Sequence, residues 1–565
     1  MSSIDWIVLV GTLLFIVVYG VWKSRGEKNI DDFLLADRTM PWYVVGISIM
    51  ATQASAITFL SAPGQAYMDG MRFVQFYFGL PIAMVILCVT FVPIFHRLNV
   101  YTAYEFLEKR FDLKTRALTA FLFLVQRGLA CGLTIYAPSI ILSSILGWNI
   151  YYTNLFMGGL VVIYTVAGGT KAVSITQMQQ MAVIFIGMLM AAIMIVYLLP
   201  ENLSFSESLK VAGKMGKLNV IDFKFDLKNQ YNVWSGLIGG LFLMLSYFGT
   251  DQSQVGRYLS GKSIGQSRLG LLFNGVIKIP MQFSILLIGA LLFVFYQFHQ
   301  PPLHFNNVEV EKINNSLLAP EYKALVAKNE QVFKEKQVYL DGLIQAIKSG
   351  DEEKSAAFGV LATSKQTEMT SLHSEVKKLM KKNDETAETN DTNYVFLSFV
   401  MRFLPAGLIG LLIAVIFSAS MSSTSSELNA LASTTVVDIY KRMFKQEGSD
   451  RHYLVVSRIT TVLWGIYAIL VAMFANQMGS LIEAVNKLGS LFYGTILGIF
   501  VVAFYFKRVK GAFVFYAALV AEAVVLYCFW IELTAFLWLN LIGCAAVVFI
   551  SLILSGVSPV RVNET

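Results

Sequence analysis

Apolar runs about 20 residues long recur along most of this 565-residue chain, and they limit its architecture more than any other feature. Each run is long enough to cross roughly 30 Å of hydrocarbon as a helix. Hydrocarbon offers no partner to a backbone N–H or C=O, so segments that bond their own backbone are the ones that can lie in it. The charge content agrees. Only 14% of residues are charged and 56% are hydrophobic, with a mean hydropathy of +0.61, whereas soluble domains carry about 25% charged residues. The chain reads as an all-α polytopic membrane protein.

About thirteen spans are expected, over 5–23, 42–66, 73–96, 117–146, 150–168, 175–199, 232–252, 269–297, 404–437, 453–475, 480–505, 511–531 and 535–555. Basic residues set their orientation. The loops 96–116, 256–268, 441–451 and 507–510 are basic and are expected inside, while 147–149 and 475–479 carry no Lys or Arg and are expected outside. No basic residue precedes the first apolar run, and Lys23, Arg25, Lys28 and Arg38 follow it. That pattern predicts an uncleaved span with its N-terminus outside, and an odd number of spans puts the C-terminus in the cytoplasm. Segment 200–231 departs from the rule with five lysines, as longer translocated loops do. The net charge of +7 is thereby assigned to cytoplasmic loops and not to a nucleic-acid surface.

Two spans carry polar interruptions. Ile416-Phe-Ser-Ala-Ser-Met-Ser-Ser-Thr-Ser-Ser-Glu-Leu-Asn429 sets a dense group of hydroxyls inside 404–437. On a helix, Ser418, Ser422, Ser425, Ser426 and Asn429 share one face. That face must meet protein, water or an ion. Neutral oxygens at this density suit a hard monovalent cation; equally, small serines allow close helix packing and bond back to their own carbonyls. Within 42–66, Ala51-Thr-Gln-Ala-Ser-Ala-Ile-Thr-Phe-Leu-Ser-Ala-Pro63-Gly64 mixes small polar residues into a span and ends at Pro-Gly. It reads either as an unwound stretch whose carbonyls line a cavity or as a proline kink near the surface. One early and one late span that is interrupted or hydroxyl-rich fits a transporter with discontinuous helices near the midplane.

The stretch 300–392 is polar and holds most of the dispersed charge. Leu340, Leu343, Ile344 and Ile347 recur at helical spacing, so amphipathic helices or a hairpin are expected, on the outside. A solvated excursion is the default reading, with a lid or a surface for an extracytoplasmic partner as alternatives. The cysteines Cys88, Cys131, Cys528 and Cys544 lie in apolar segments at no metal-ligand spacing and read as core thiols. The histidines, at 96, 299, 304, 373 and 452, are scattered, and neither HExxH nor GxSxG occurs. Nothing supports an intramembrane enzyme.

Five segments in order resemble the sodium/solute symporter family over nearly the whole chain apart from the polar insert. They are Pro41-Trp-Tyr-Val-Val-Gly46, Ala51-Thr-Gln-Ala-Ser-Ala-Ile-Thr58, Tyr164-Thr-Val-Ala-Gly-Gly-Thr-Lys-Ala-Val173, Thr250-Asp-Gln-Ser-Gln-Val-Gly-Arg-Tyr258, and the serine-rich span ending Val437-Asp-Ile-Tyr-Lys441. The resemblance implies a LeuT-like core of inverted five-plus-five helix repeats over spans two to six and seven to eleven. The expected organisation is 1–41 (first helix and cytoplasmic loop), 42–299 (first repeat and start of the second), 300–392 (insert), 393–506 (rest of the second repeat) and 507–565 (two further helices).

Carried onto this chain, the resemblance implies a sodium ion held by the carbonyls of Ala51, Ala54 and Ala419 and the hydroxyls of Ser422 and Ser423. A second sodium site of the sialic-acid-transporting branch would use Ser425 and Ser426, but Gln177 stands where those relatives carry an aspartate. For solute, Ser55, Thr58 and Arg127 match the hydroxyls and arginine that hold a carboxylate in that branch. Asp251 and Lys278 align with positions near the sugar pocket of the sugar-transporting branch, and Gln75 and Phe78 are further candidates. An arginine within a span is costly unless paired or hydrated, so an internal ion pair to Asp251 is the structural alternative for Arg127. Thr58 replaces a sugar-binding glutamine, which argues against a neutral hexose.

The expected function is Na+-coupled import of a small organic solute, a carboxylate such as sialic acid, by alternating access. The alternatives are a sodium/sugar symporter, a transporter-like sensor, or a proton-coupled permease with Asp251 as its one evident carboxylate. The resemblance further implies a bacterial inner membrane. The expected partners are the solute and the bilayer, with a monomer as the expected state and no nucleic acid.

Overall fold

The computed structural model describes residues 1–23, 35–167, 170–475 and 480–557. Arg25, Lys28, Gly168, Gly169 and the loop 476–479 lie outside the described residues. The first half comprises α1 (Ser3–Lys23), α2 (Trp42–Gln53), α3 (Ala56–Asp69), α4 (Met71–Arg97), α5 (Leu113–Leu146), α6 (Ile150–Ala167) and α7 (Thr170–Tyr197). Then come α8 (Phe205–Lys214), α9 (Ser235–Thr250), α10 (Gln252–Leu259) and α11 (Ile264–Phe298). The insert contributes α12 (Asn307–Asn314), α13 (Ala319–Ser349) and α14 (Glu352–Asn383). The chain ends with α15 (Val395–Phe403), α16 (Leu408–Phe444), α17 (Asp450–Ala472), α18 (Leu481–Tyr505), α19 (Gly511–Trp530) and α20 (Phe536–Val557).

Among the described residues nine helices are long and apolar enough to cross a membrane, or ten if the bent pair α2–α3 is one span. Three shorter apolar helices, Ser3–Ile16, Ile150–Val166 and Ser235–Thr250, fall where the remaining spans are expected. The protein is a multi-pass helical membrane protein.

Two helices break, and both breaks have a local cause. Between α2 and α3 the axis turns by 58°, because Ala54 (φ −86°, ψ 71°) and Ser55 (φ −75°, ψ 174°) leave helical geometry. Pro63, by contrast, sits inside α3 without stopping it. Gly64 is there for packing: a Cβ at this position would lie 1.9 Å from the carbonyl oxygen of Thr392. The break falls at Ala54-Ser55, within the stretch Ala51–Gly64 that the sequence marks, as an unwound segment and not as a kink at Pro63.

The second break lies outside the serine-rich span. The serine-rich helix is helical throughout, from Leu408 to Thr434 and on through a wider π-helical stretch to Phe444. The discontinuity instead separates α9 from α10 at Asp251, which is extended (φ −79°, ψ 119°) and caps α10 by accepting from the Ser253 N–H at 2.9 Å. Each break therefore falls in the first helix of one expected repeat.

The four basic loops meet at one end of the bundle. Arg110 donates to the carbonyls of Ala503 and Phe506, Arg116 and Arg442 both pair with Glu108, and His96 bonds Ser267 at 2.8 Å. Arg116 also pairs with Asp438 at 2.7 Å, which ties the start of α5 to the end of α16.

The insert folds as a hairpin of α13 and α14 turned at Gly350, whose φ of +72° suits a residue without a Cβ. It is docked and not a free excursion. Leu340, Leu343 and Ile344 join the main core, while Val332, Phe333, Met369, Leu372 and Val376 form a small core of the hairpin's own. Lys214 on α8 pairs with Glu352 at 2.5 Å, and Gln337 donates to the Gln297 carbonyl at the end of α11 at 2.6 Å.

Candidate functional site

Because α2 stops at Gln53, the carbonyls of its last turn have no following turn of the same helix to accept from. Ala51 and Ala54 are both buried. The end of α2 reaches α16 directly: Thr52 Oγ1 donates to Ser426 Oγ at 3.3 Å. Ser426 in turn donates to the Ser422 carbonyl at 3.0 Å, one turn back. The hydroxyl of Ser422 is thus one turn from the α2 contact, buried and without a hydrogen-bond partner. Ser423 behaves otherwise, donating to the carbonyls of Ala419 and Ser420 at 3.0 and 3.2 Å.

The serine helix divides its hydroxyls between two tasks. Ser420 and Thr424 bond Thr134 of α5 and hold the two helices together. Ser418, Ser422, Ser425 and Asn429 follow one stripe of α16 and carry buried polar atoms with no partner in the protein. A buried polar atom at membrane depth needs a partner, so the stripe is built to receive water, an ion or a ligand.

Gln177 of α7 joins this region. Its oxygen accepts from Ser48 at 2.5 Å, while its NH2 group donates to Ser426 at 3.0 Å and Thr52 at 3.3 Å. The amide therefore brings α2, α7 and α16 together, with its donor end toward the hydroxyls.

Beside the α2–α3 break lies a cleft lined among others by Ser55, Thr58, Tyr77, Arg127, Glu427 and Asn486. Arg127 is at its polar centre, and both of its terminal nitrogens are engaged, while its Nε is buried without a hydrogen-bond partner. One terminal nitrogen bonds Glu427 at 3.0 Å. The other is ion-paired to Asp251 and bonds Tyr493 at 2.5 Å. One guanidinium thus faces two carboxyl groups, and Tyr493 donates to Asp251 at 2.7 Å. Glu427 also accepts from Thr134 at 2.9 Å.

Of the residues singled out from sequence, Ser55, Thr58 and Arg127 line the cleft, and Asp251 reaches it only through Arg127 and Tyr493. Gln75 is brought elsewhere: its amide donates to the Tyr231 carbonyl at 3.0 Å and accepts from the Asp222 N–H at 2.9 Å, which fixes the loop before α9. Phe78 packs partly buried against the core, and its neighbours Phe76 and Tyr77 line the cleft instead. Lys278 is fully buried, with Nζ 5.9 Å from the centre of the Tyr77 ring and no hydrogen-bond partner. Asp251 is not the one carboxylate near the cavity, because Glu427 lines it. Glu427 was visible as the lone acid of an apolar span, a feature that by itself marks a functional candidate. Tyr247, Tyr493 and Asn486 had no such signal.

Residues 33–320 and 377–557 match the model of the sodium:solute symporter family. The chain belongs to that family. The interval between the two matched stretches falls within the insert. The chain is 26% identical to the sodium-dependent multivitamin transporter of Oryctolagus cuniculus over 89% of its own length and 67% of the relative's. It is 27% identical to sodium-coupled monocarboxylate transporter 1 of Mus musculus, covering 88% and 68%. It is 31% identical to the human sodium/iodide cotransporter over 52% of this chain and 45% of that one. Its fold matches a substrate-bound, outward-open Na+-coupled sialic acid symporter with a TM-score of 0.75 at 23% identity, over 99% of this chain and 98% of the other. The symporter core is LeuT-like, Na+ is the coupling ion, and its partners include a small-molecule solute and the bilayer. The relatives are transporters, not enzymes.

Proposed function

We propose that this symporter binds Na+ between the broken end of α2 and the serine helix, through the carbonyls of Ala51, Ala54 and Ala419 and the hydroxyls of Ser422 and Ser423. The observation that carries this reading is the Ser422 hydroxyl, buried and unpartnered one turn from the Thr52–Ser426 contact. A bare sodium ion favours several hard oxygens, and carbonyl and hydroxyl groups supply them without burying a set of charges. Bound sodium would pin α2 to α16 and favour the state in which the cleft accepts solute. Coupling then comes from the different sodium affinities of the two states. One sodium crossing about 100 mV contributes about 2.3 kcal/mol, roughly a 50-fold accumulation. With the basic loops on the cytoplasmic side, the insert faces outside and the cycle is import.

A carboxylate solute, such as sialic acid or a monocarboxylate, is favoured by Arg127 in the cleft and by the similarity to a sodium-coupled monocarboxylate transporter. This reading requires the solute to take the place of Glu427 on the Arg127 fork. A second reading, a neutral hydroxyl-rich solute, is favoured by that same fork being filled by two carboxyl groups and a tyrosine. Proteoliposomes given an inward Na+ gradient, against a K+ control, test both. Labelled sialic acid, short monocarboxylates and neutral hexoses are the probes. Sodium-dependent accumulation of an acid that survives in Glu427→Gln supports the first reading, and accumulation of a hexose supports the second. Uptake that is equal in Na+ and K+ sinks the proposal.

A further inference from the structure

We propose that His304, His373 and Asp391 form a binding site for a transition-metal dication such as Zn2+ at the root of the insert. Their ligand-capable atoms all lie within 4.8 Å of one another. Two imidazoles and a carboxylate are a donor set suited to such an ion, and three protein ligands leave a fourth position for water.

The three residues come from separate parts of the chain: the segment after α11, the body of α14, and the return toward α15. His304 and Asp391 are fully buried. One oxygen of Asp391 is positioned by the Phe305 N–H at 2.8 Å and by His373 Nε2 at 3.0 Å. The other is buried with no hydrogen-bond partner, which is the state of an oxygen reserved for a ligand. On His304, Nδ1 accepts from the Asn306 N–H at 3.3 Å, and Nε2 lies 3.4 Å from the Thr389 carbonyl. The rival cation is Lys377, whose Nζ is 3.7 Å from the free oxygen, beyond hydrogen-bond reach. Its side chain is one-third exposed and can turn outward. A cleft lined by His373, Tyr67, Asn329 and Gln366 reaches the site from outside.

The site adjoins the contact between the insert and α3. Asp391 precedes Thr392, whose carbonyl rests against Gly64 of α3. A bound metal would fasten the insert's entry, its second long helix and its exit to one another, and stiffen the surface on which α3 packs.

The full-length protein, purified in detergent and stripped with a chelator, is titrated with Co2+. Its visible absorption reports four-coordinate nitrogen and oxygen ligation, and Zn2+ is then added to displace it. We expect a single Co2+ per chain, displaced by Zn2+, with affinity reduced at least tenfold in both His304→Gln and His373→Gln and unchanged in the control His299→Gln. Zn2+ should raise the melting temperature of the wild type and not of the two variants. Wild-type protein that binds no Co2+ overturns the proposal, whether or not the variants fold. Binding of equal affinity in both folded variants overturns it as well.

Discussion

Arg127 of α5 is ion-paired to Asp251, the residue at which α9 gives way to α10. The same guanidinium holds Glu427 of the serine helix and bonds Tyr493 of α18. A single side chain thus joins the second helix break, the serine helix and the cleft beside the α2–α3 break. A substrate that disturbs any of these contacts acts on all three elements at once.

Removing the arginine should be worse than removing either acid. Arg127→Ala leaves Asp251 and Glu427 buried together without a cation, and breaking a buried pair from one side costs about 3–5 kcal/mol. Asp251→Asn leaves Arg127 with Glu427 and should cost less. Melting curves in detergent check this: the largest drop is expected for Arg127→Ala. Equal drops would show that the two acids are not held by the same guanidinium.

Gln177 directs its NH2 group toward Ser426 and Thr52, so an N–H donor already occupies the place a second cation would need. The wild type should respond to sodium with a Hill coefficient near unity. Gln177→Asp removes that donor and adds a charge, and should raise the coefficient above unity. Sodium-dependent tryptophan fluorescence or melting temperature, titrated in both proteins, reads the difference.

Glu388, in the return from the insert, gives a pH dependence. Burial pushes its carboxyl up to about 7, against the opposing bonds from Tyr394 and Tyr136. The folded state therefore favours the neutral acid. This contribution is fully present below the ordinary value of 4.5 and is lost as pH rises from there through about 7. Glu388→Gln keeps an oxygen for both tyrosines without the charge. It should raise stability at pH 8 by up to about 3 kcal/mol and change little at pH 4. An equal effect at both pH values would contradict the assignment.

Gly64 leaves no room for a side chain against Thr392. Gly64→Val should separate α3 from the root of the insert, lower the melting temperature and slow transport. Its effect should exceed that of Gly159→Val, where a Cβ meets nothing within 4 Å.

The spans were legible because hydrocarbon imposes one length and one polarity on every crossing helix. The stripe of Ser418, Ser422, Ser425 and Asn429 was legible for a related reason: 3.6-residue periodicity places them on one face whatever they bind. The breaks were less so. Pro63-Gly64 is the stronger breaker by residue type, yet α3 absorbs it, and the chain opens at Ala54-Ser55, which no propensity marks. Asp251 was read as a cavity or ion-pair residue; its extended backbone and its cap on α10 depend on the fold around it. Gln75 and Lys278 show the same limit. Their residue types suit a cavity, but tertiary packing sends Gln75 to the Tyr231 and Asp222 backbone and buries Lys278 beside Tyr77. The His304–His373–Asp391 cluster was invisible because its members are joined only by the hairpin's return.

Binding of radiolabelled Na+ to the purified protein tests the central claim most directly. We expect a saturable site displaced by unlabelled Na+ and not by K+, lost in Ser422→Ala and kept in Ser420→Ala, whose hydroxyl serves the Thr134 contact instead. Saturable sodium binding that persists unchanged in Ser422→Ala would contradict the site between the broken end of α2 and the serine helix.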